Sequence, residues 1–297
     1  MTAASLEADV LAEVVWVLGI GAAVVFALTM ALLLRALRGR RRAVPDGWWL
    51  WGGLAVPAVV LVALAVYSET RTAGLDAAPP GALVVTVTGR SWWWHVQYRD
   101  PASGRLVATA NELHLPTGRP VHLGLQSDDV IHSVWVPALG GKMDLVPGRV
   151  NRLVVTPHTP GTYRGVCAEF CGAQHAKMAL HVVVTSPADF DRWLARQAAP
   201  AVATSASARG RQLFTDRGCA ACHAVHGLAD GAVAGPDLTH VASRGHLGAG
   251  TLANGPGAAG RWLAEVQQLK PGARMPSAHH LPADERAALG AFLDALE

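Results

Sequence analysis

Residues 166–178 read VCAEFCGAQHAKM. Two cysteines, a histidine and a methionine fall there as Cys167-x-x-x-Cys171-x-x-x-His175-x-x-Met178, between two stretches of strand-like composition. Two soft thiolates, an imidazole and a thioether form a donor set suited to copper. In a loop between strands both sulfurs can face inward and bridge two metal ions. Each ion then needs terminal ligands of its own, and one histidine is too few. A second imidazole has to come from elsewhere in the same folded unit. The remaining two of the chain's four cysteines lie together in GCAACHAV, residues 218–225. An exported chain could instead pair its four cysteines as two structural bridges, so both clusters have to be weighed against that reading.

Cys219-Ala220-Ala221-Cys222-His223 has the C-x-x-C-H spacing of covalent c-type haem attachment. Two thiols add across the haem vinyl groups, and the adjacent histidine is thereby aimed at the iron. A zinc site would need a second closely spaced pair of ligands, and no further cysteines remain. A redox C-x-x-C would not need the histidine and expects a βαβ context. The sixth iron ligand is expected downstream, where LKPGARMPSAHH (269–280) offers Met275 between stiffening residues, with His279 and His280 as alternatives. Histidine with methionine raises the potential of the iron and leaves no open coordination position, the arrangement of an electron carrier.

The N-terminal part is built for lipid. Leu11 to Leu34 is apolar apart from Glu13 near its start, and a helix of this length covers roughly 36 Å, enough to cross a bilayer core. A second run, Trp48 to Tyr67, carries no charge, has Pro57 in its middle and clusters Trp48, Trp49 and Trp51 at one end as an interfacial belt would. Buried core helices are the plainer alternative, but both runs are apolar on every face. Arginines at 35, 38, 40, 41 and 42 lie between the spans, whereas the N-terminal tail holds Glu7 and Asp9 and no basic residue. The positive-inside rule places that loop in the cytoplasm and both termini outside. No basic stretch precedes the first run, which is also too long for the core of a cleaved signal peptide. The net charge of +3 is owed mostly to this loop, so the exposed part is near neutral and offers no basic stripe for nucleic acid.

From Ala82 to about Thr185 the segments LVVTVTG, SWWWHVQY, RPVHLGLQ, RVNRLVV and MALHVVV show partial alternation, and they are separated by turn signals such as DPASG, LPTG, PALGG and TPG. These predict a β-sandwich or barrel. Ser186-Pro187-Ala188-Asp189 then reads as a helix start, with Phe190, Trp193 and Leu194 on its apolar face. Residues 198–208, AAPAVATSASA, have linker chemistry. The last segment, 209–297, reads as a small α-helical unit whose final helix lines up Leu289, Phe292, Leu293 and Leu296. The expected partition is therefore 1–75 hairpin, 76–197 β domain, 198–208 linker and 209–297 helical domain.

With GPDL at 235–238 and Met275, the last segment resembles class I cytochromes c over nearly all its length. The stretch SDDVIHSVWVPALGGKMDLVPGRVN (127–151) and the Cys167 loop together resemble the CuA domain of cytochrome c oxidase subunit II, and the likeness extends over the whole chain. It implies a multidomain membrane protein: a two-helix transmembrane hairpin, a cupredoxin-like β-sandwich or barrel, and a fused cytochrome c as in caa-type oxidases. It further implies a binuclear CuA centre held by His132, Cys167, the Glu169 carbonyl, Cys171, His175 and Met178. The Glu169 carboxylate is expected to reach a magnesium ion at the border with subunit I. In GRSWWWHVQY the resemblance makes Trp92 the residue through which electrons enter, with Trp93, Trp94 and Tyr98 packed around it. Ala168 stands where many members have serine, at a position that is not a ligand. The haem c on Cys219 and Cys222, with His223 and Met275 axial, would load CuA, which would pass electrons to the haem-copper subunit I that reduces oxygen, coupled to proton translocation. No catalytic residue is expected in this chain. Subunits I and III, membrane lipid and an external donor such as a cytochrome c or a quinol-cytochrome c reductase are the implied partners. A bacterial inner membrane is the implied location, with both cofactor domains outside.

The other histidines, including His95, His114, His122, His158 and His181, are expected to be surface or hydrogen-bonded residues. Met143 is expected to be a packing residue, and Asp144 and the Asp128-Asp129 pair to be solvated acids, with partner docking as the alternative. Glu69, just past the second span, is a candidate neighbour of a proton path. Three other functions compete. A copper chaperone of the Sco kind also uses C-x-x-x-C with a distant histidine, but it needs neither Met178 nor a haem. Nitrous oxide reductase has a similar copper loop beside a large propeller and no hairpin. A CuA-containing nitric oxide reductase could share this layout, and the identity of its large subunit would separate the two.

Overall fold

The computed structural model describes residues 3–39, 47–75, 77, 79–100, 104–201 and 207–297. Arg40, Arg41 and Arg42, part of the DPASG turn and residues 202–206 of the expected linker lie outside the described residues. Two long apolar helices come first: α1, Leu6–Arg38, and α2, Trp48–Thr72. Both exceed the predicted spans. At its start α1 is capped by Ser5, whose hydroxyl accepts from Ala8 N at 3.1 Å, which is the usual way to satisfy one of the free N–H groups of a first turn. This turn is packed on the β domain rather than immersed: Glu7 is buried and accepts from both Thr156 N (2.8 Å) and Thr156 Oγ1 (2.9 Å). Between Trp51 and Ala55, α2 is wound as a π-helix. Pro57 follows two residues later. It has no N–H, and its ring crowds the carbonyl four residues back, so a locally wider turn relieves it. Glu13, the one acid in the first span, is paired across the hairpin with Arg71 and accepts a hydrogen bond from the Tyr67 hydroxyl at 3.0 Å. Both helices present bare apolar flanks, Trp16, Phe26, Leu28, Trp49 and Leu61 among them, as lipid-facing surfaces do.

Ten strands follow. One sheet has the order β3-β2-β1-β5-β8 and the other β4-β10-β9-β6-β7. In the first are β1 Leu83–Arg90, β2 Trp93–Arg99, β3 Leu106–Ala110, β5 Val121–Ser127 and β8 Asn151–Val155. In the second are β4 Glu112–Pro116, β6 His132–Trp135, β7 Met143–Leu145, β9 Gly161–Cys167 and β10 Ala179–Thr185. The β1–β5 and β4–β10 pairs are parallel and the rest antiparallel. Alternation sorts the side chains: Val85 and Val87 of β1 and Val121, Leu123 and Leu125 of β5 are buried, and Leu113, Leu115, Leu180 and Val182 meet them from the other sheet. The composition reading finds β1, β2, β5, β8 and β10. It misses β3, β4, β6, β7 and β9, several of which are too short to show a period.

Helix α3, Pro187–Gln197, closes the sandwich, with the Ser186 hydroxyl accepting from Asp189 N at 3.2 Å. Phe190 and Leu194 enter the core, and Trp193 stacks on His114 with ring centroids 3.9 Å apart. The C-terminal unit packs α4 Ala208–Asp216, α5 Ala258–Leu269 and α6 Ala283–Leu293, with the short pair β11 His246–Leu247 and β12 Leu252–Ala253. Phe214, Leu263, Leu289, Phe292, Leu293 and Leu296 form its core, so the face predicted for the last helix is the buried one.

Phe190→Ala removes a side chain 1 % exposed that touches Tyr98 and Trp193. Truncation should cost about 3–5 kcal/mol, read as a lower urea midpoint for the β domain by tryptophan fluorescence.

Candidate metal centre and haem-binding segment

The end of β9 delivers Cys167, the turn that follows carries Cys171, and a single 3-10 turn, His175–Lys177, lifts His175 and Met178 towards them. His132 arrives from the start of β6, whose pairing with β9 sets Val134 opposite Cys167. Cys167 Sγ lies 3.7 Å from Cys171 Sγ, 3.9 Å from His132 Nδ1 and 3.2 Å from the Glu169 carbonyl oxygen. Cys171 Sγ lies 3.6 Å from His175 Nδ1 and 3.8 Å from Met178 Sδ. All six residues expected from the sequence thus converge. Cys167, Cys171, Met178 and His132 are buried, and all four cysteines are free thiols, so the two-bridge alternative fails.

The electrostatics of this cluster call for cations. With the thiols so close, ionisation of one obstructs ionisation of the other: the Cys167 pKa is driven down, chiefly by the hydrogen bond from Cys171, and that of Cys171 is driven up by the neighbouring thiolate and by burial. Both can be thiolates together only if positive charge sits between or beside them. On His132, burial opposes a charge, but Cys167 and Asp129 outweigh it and raise the pKa. Asp129 Oδ1 holds His132 Nε2 at 2.8 Å, leaving Nδ1 directed at sulfur. This is the carboxylate–histidine arrangement that fixes ring orientation in metal sites. Asp129 also accepts from Ser91 N (2.7 Å) and Val130 N (2.8 Å). It is therefore not the solvated acid expected from the sequence, and its position three residues before His132 was the available signal. Gly89 must be glycine, since a Cβ there would stand 2.6 Å from the His132 ring.

Trp92 lies against the cluster: its Nε1 donates to Cys171 O at 2.7 Å. Of its expected neighbours, Trp94 and Tyr98 are fully buried in the core, whereas Trp93 belongs to the opposite face of β2, edge-on to His95 and beneath Arg90. Strand alternation imposes that split. His95 and His181 are likewise buried rather than on the surface, and His181 stacks on His246 at 4.0 Å. Met143 packs against the core. The exposed Glu169 carboxylate lies 3.5 Å from Lys142 Nζ.

In the C-terminal unit Cys219 is half-buried and Cys222 exposed, on either side of a short 3-10 turn. His223 Nδ1 donates to Pro236 O at 2.8 Å, so Nε2 is the ring's remaining ligand atom. Burial, the largest effect on it, lowers its pKa and keeps the ring neutral, as an iron ligand must be. Gly235 permits this, because a Cβ there would lie 2.6 Å from His223 Cε1. Met275 packs against the core of this unit, its carbonyl gripped by Gln267 Nε2 at 2.7 Å, whereas His279 and His280 are exposed.

Residues 99–186 match the family described as cytochrome c oxidase subunit II, periplasmic domain, and residues 207–297 match cytochrome c. Cytochrome c oxidase subunit 2 of Alkalihalophilus pseudofirmus is 34 % identical over 250 residues, which cover 82 % of this chain and 71 % of that one. The subunit 2 of Bacillus sp. strain PS3 is 29 % identical, over 82 % of this chain and 72 % of its own. The crystal structure of the periplasmic domain of subunit II (CoxB) of Bradyrhizobium japonicum is 27 % identical, covers 41 % of this chain and 96 % of that one, and has a TM-score of 0.38. A copper-bearing domain and a haem c domain thus follow two apolar membrane helices, and the chain belongs to the cytochrome c oxidase subunit II family, as a haem-copper oxidase subunit with a cytochrome c domain of its own.

Proposed function

We propose that this chain is the electron-input subunit of a respiratory terminal oxidase, taking electrons on its cytochrome and handing them through a binuclear copper centre to subunit I, where oxygen is reduced. The convergence of two unbonded thiols, two imidazoles, a thioether and a carbonyl within 3.9 Å contacts carries this reading. His132, Cys167, Glu169 O, Cys171, His175 and Met178 would hold two coppers, and Cys219, Cys222, His223 and Met275 one haem c. When bound, these groups supply one-electron chemistry with little change in geometry between oxidation states. The chain's own part is to exclude water from the sulfurs, to keep His132 oriented through Asp129, and to hold His223 neutral against Pro236. Trp92, bonded to Cys171 O, is the residue we assign to electron entry.

The glutamate proposed for magnesium fits less well. Lys142 already partners the Glu169 carboxylate, so among the described residues this group alone does not make a magnesium site, and no step is derived through it. The arginines of the sequence between the helices support, by the positive-inside rule, a cytoplasmic loop and periplasmic cofactor domains. A CuA nitric oxide reductase is the second reading, since it would use the same donor set with a different terminal acceptor. Subunit I co-purifying with the chain and consuming oxygen, rather than nitric oxide, decides between them.

Metal analysis of the purified chain should give two coppers and one iron, with a mixed-valent copper EPR signal beside a low-spin c-type spectrum. A single blue or colourless copper rejects the reading. Met275→Ala should leave the haem covalently attached and lower its potential, within the roughly 0.8 V range that axial ligands command; an unchanged redox titration would assign the sixth ligand elsewhere. Asp129→Asn keeps the shape but loses the carboxylate that orients His132. It should weaken copper retention by about 10–100-fold, measured by competition with a copper chelator.

A further inference from the structure

The copper domain and the cytochrome meet at a junction built around one side chain. Lys270, directly after α5, is 4 % exposed, and its Nζ donates to three backbone carbonyls: Trp92 O at 2.7 Å, Lys177 O at 2.7 Å and Gly248 O at 2.9 Å. Gly248 is in the cytochrome, whereas Lys177 lies within the copper loop and Trp92 packs beside it. Bonds also run the other way. Lys177 Nζ donates to Leu269 O and Gln174 Nε2 to Pro271 O, both at 2.6 Å. Three consecutive residues, Leu269, Lys270 and Pro271, are therefore tied to the segment that separates Cys171 from Met178.

The same helix end grips the proposed haem-ligand loop. Gln267 Nε2 donates to Ala273 O (2.8 Å) and Met275 O (2.7 Å), and its Oε1 accepts from Gly272 N at 3.1 Å. On the far side, Trp92 is bonded through its ring to Cys171 O. One short lever thus joins the Met275 loop to the tryptophan beside the copper ligands. Three carbonyls at near-equal distance match the three hydrogens of an ammonium, a compact donor that a planar guanidinium does not imitate. As a stabilising device the arrangement is poor, because among the described residues no carboxylate pairs with the buried ammonium. Its benefit is register. Adhesion is available elsewhere, from Glu112 accepting from Gly245 N (2.6 Å), Ala179 N donating to Ala249 O (3.0 Å) and the His181–His246 stack.

We infer that Lys270 is a positioning residue that sets the register of the Met275 loop against Trp92 and the copper loop. The assignment rests on the electron-relay reading above. Its test uses the metal-loaded full chain in its oxidase complex, comparing wild type with Lys270→Met by two readouts: amide hydrogen exchange in residues 172–178 and 267–275, and the haem-to-copper step after flash reduction of the haem. The variant should exchange faster in both segments and slow the step by about tenfold or more, as small misplacements do, with both metal spectra unchanged. Exchange and rate both as in wild type overturn the assignment. So does a slowed step with unchanged exchange, which would place the effect in a metal centre, and so does faster exchange with an unchanged rate. If Lys270→Met does not take up haem, the double variant Gln174→Ala, Lys177→Ala loosens the same junction from the copper side and is read by the same outcomes. A wild-type chain with no haem-to-copper step overturns the relay itself, and that failure is recognised before any variant is compared.

Discussion

Two thiols are held 3.7 Å apart without forming a bond. Left alone they cannot both ionise, since each thiolate opposes the other. The surroundings are nevertheless arranged as a donor shell, with imidazoles on either flank and the Glu169 carbonyl and a thioether completing it. A strained compromise in the bare protein becomes a balanced one when positive ions enter. The sandwich around it is organised to maintain this approach: β9 fixes Cys167, β6 fixes His132 through its pairing with β9, and Gly89 on the facing sheet leaves room for the imidazole.

The cytochrome solves a different problem. Around His223, Pro236 and Gly235 supply a carbonyl and an absent side chain that hold the ring still and uncharged, as a covalently attached haem would require of its proposed ligand. Its small core would be thin without a large group to pack on. Gln267 and Lys270, one helical turn apart, extend that core outward, one gripping the Met275 loop and the other the neighbouring domain.

How much of this was legible follows from contact range. The spacing Cys167, Cys171, His175, Met178 is local, so the donor set could be read before any fold was known, and so could C-x-x-C-H. His132 needed the family resemblance, since it lies 35 positions from Cys167. Asp129 was visible as an acid three residues before His132, but its role as partner needed the fold that brings its Oδ1 within 2.8 Å of the ring. Strands of three to five residues such as β4, β6 and β7 are too short to express a period of two. The first turn of α1 was lost for another reason. Glu7 and Asp9 look like the edge of a membrane span, yet Glu7 is buried by two hydrogen bonds to Thr156.

Lys270 marks the limit of such reading. A lysine after an amphipathic helix ordinarily means a solvated C-terminus, and here it is among the most buried charged residues of those described. Its partners are carbonyls, which every residue possesses, so the contact leaves no trace in composition or spacing. The same anonymity makes the junction specific in space rather than in chemistry. Apolar surfaces can slide across one another at little cost, but a desolvated ammonium that leaves any of its three acceptors loses a bond it cannot replace. Two domains of one chain can hold a defined relative position at modest net stability when the contact penalises every neighbouring arrangement, and a buried ammonium among carbonyls does so.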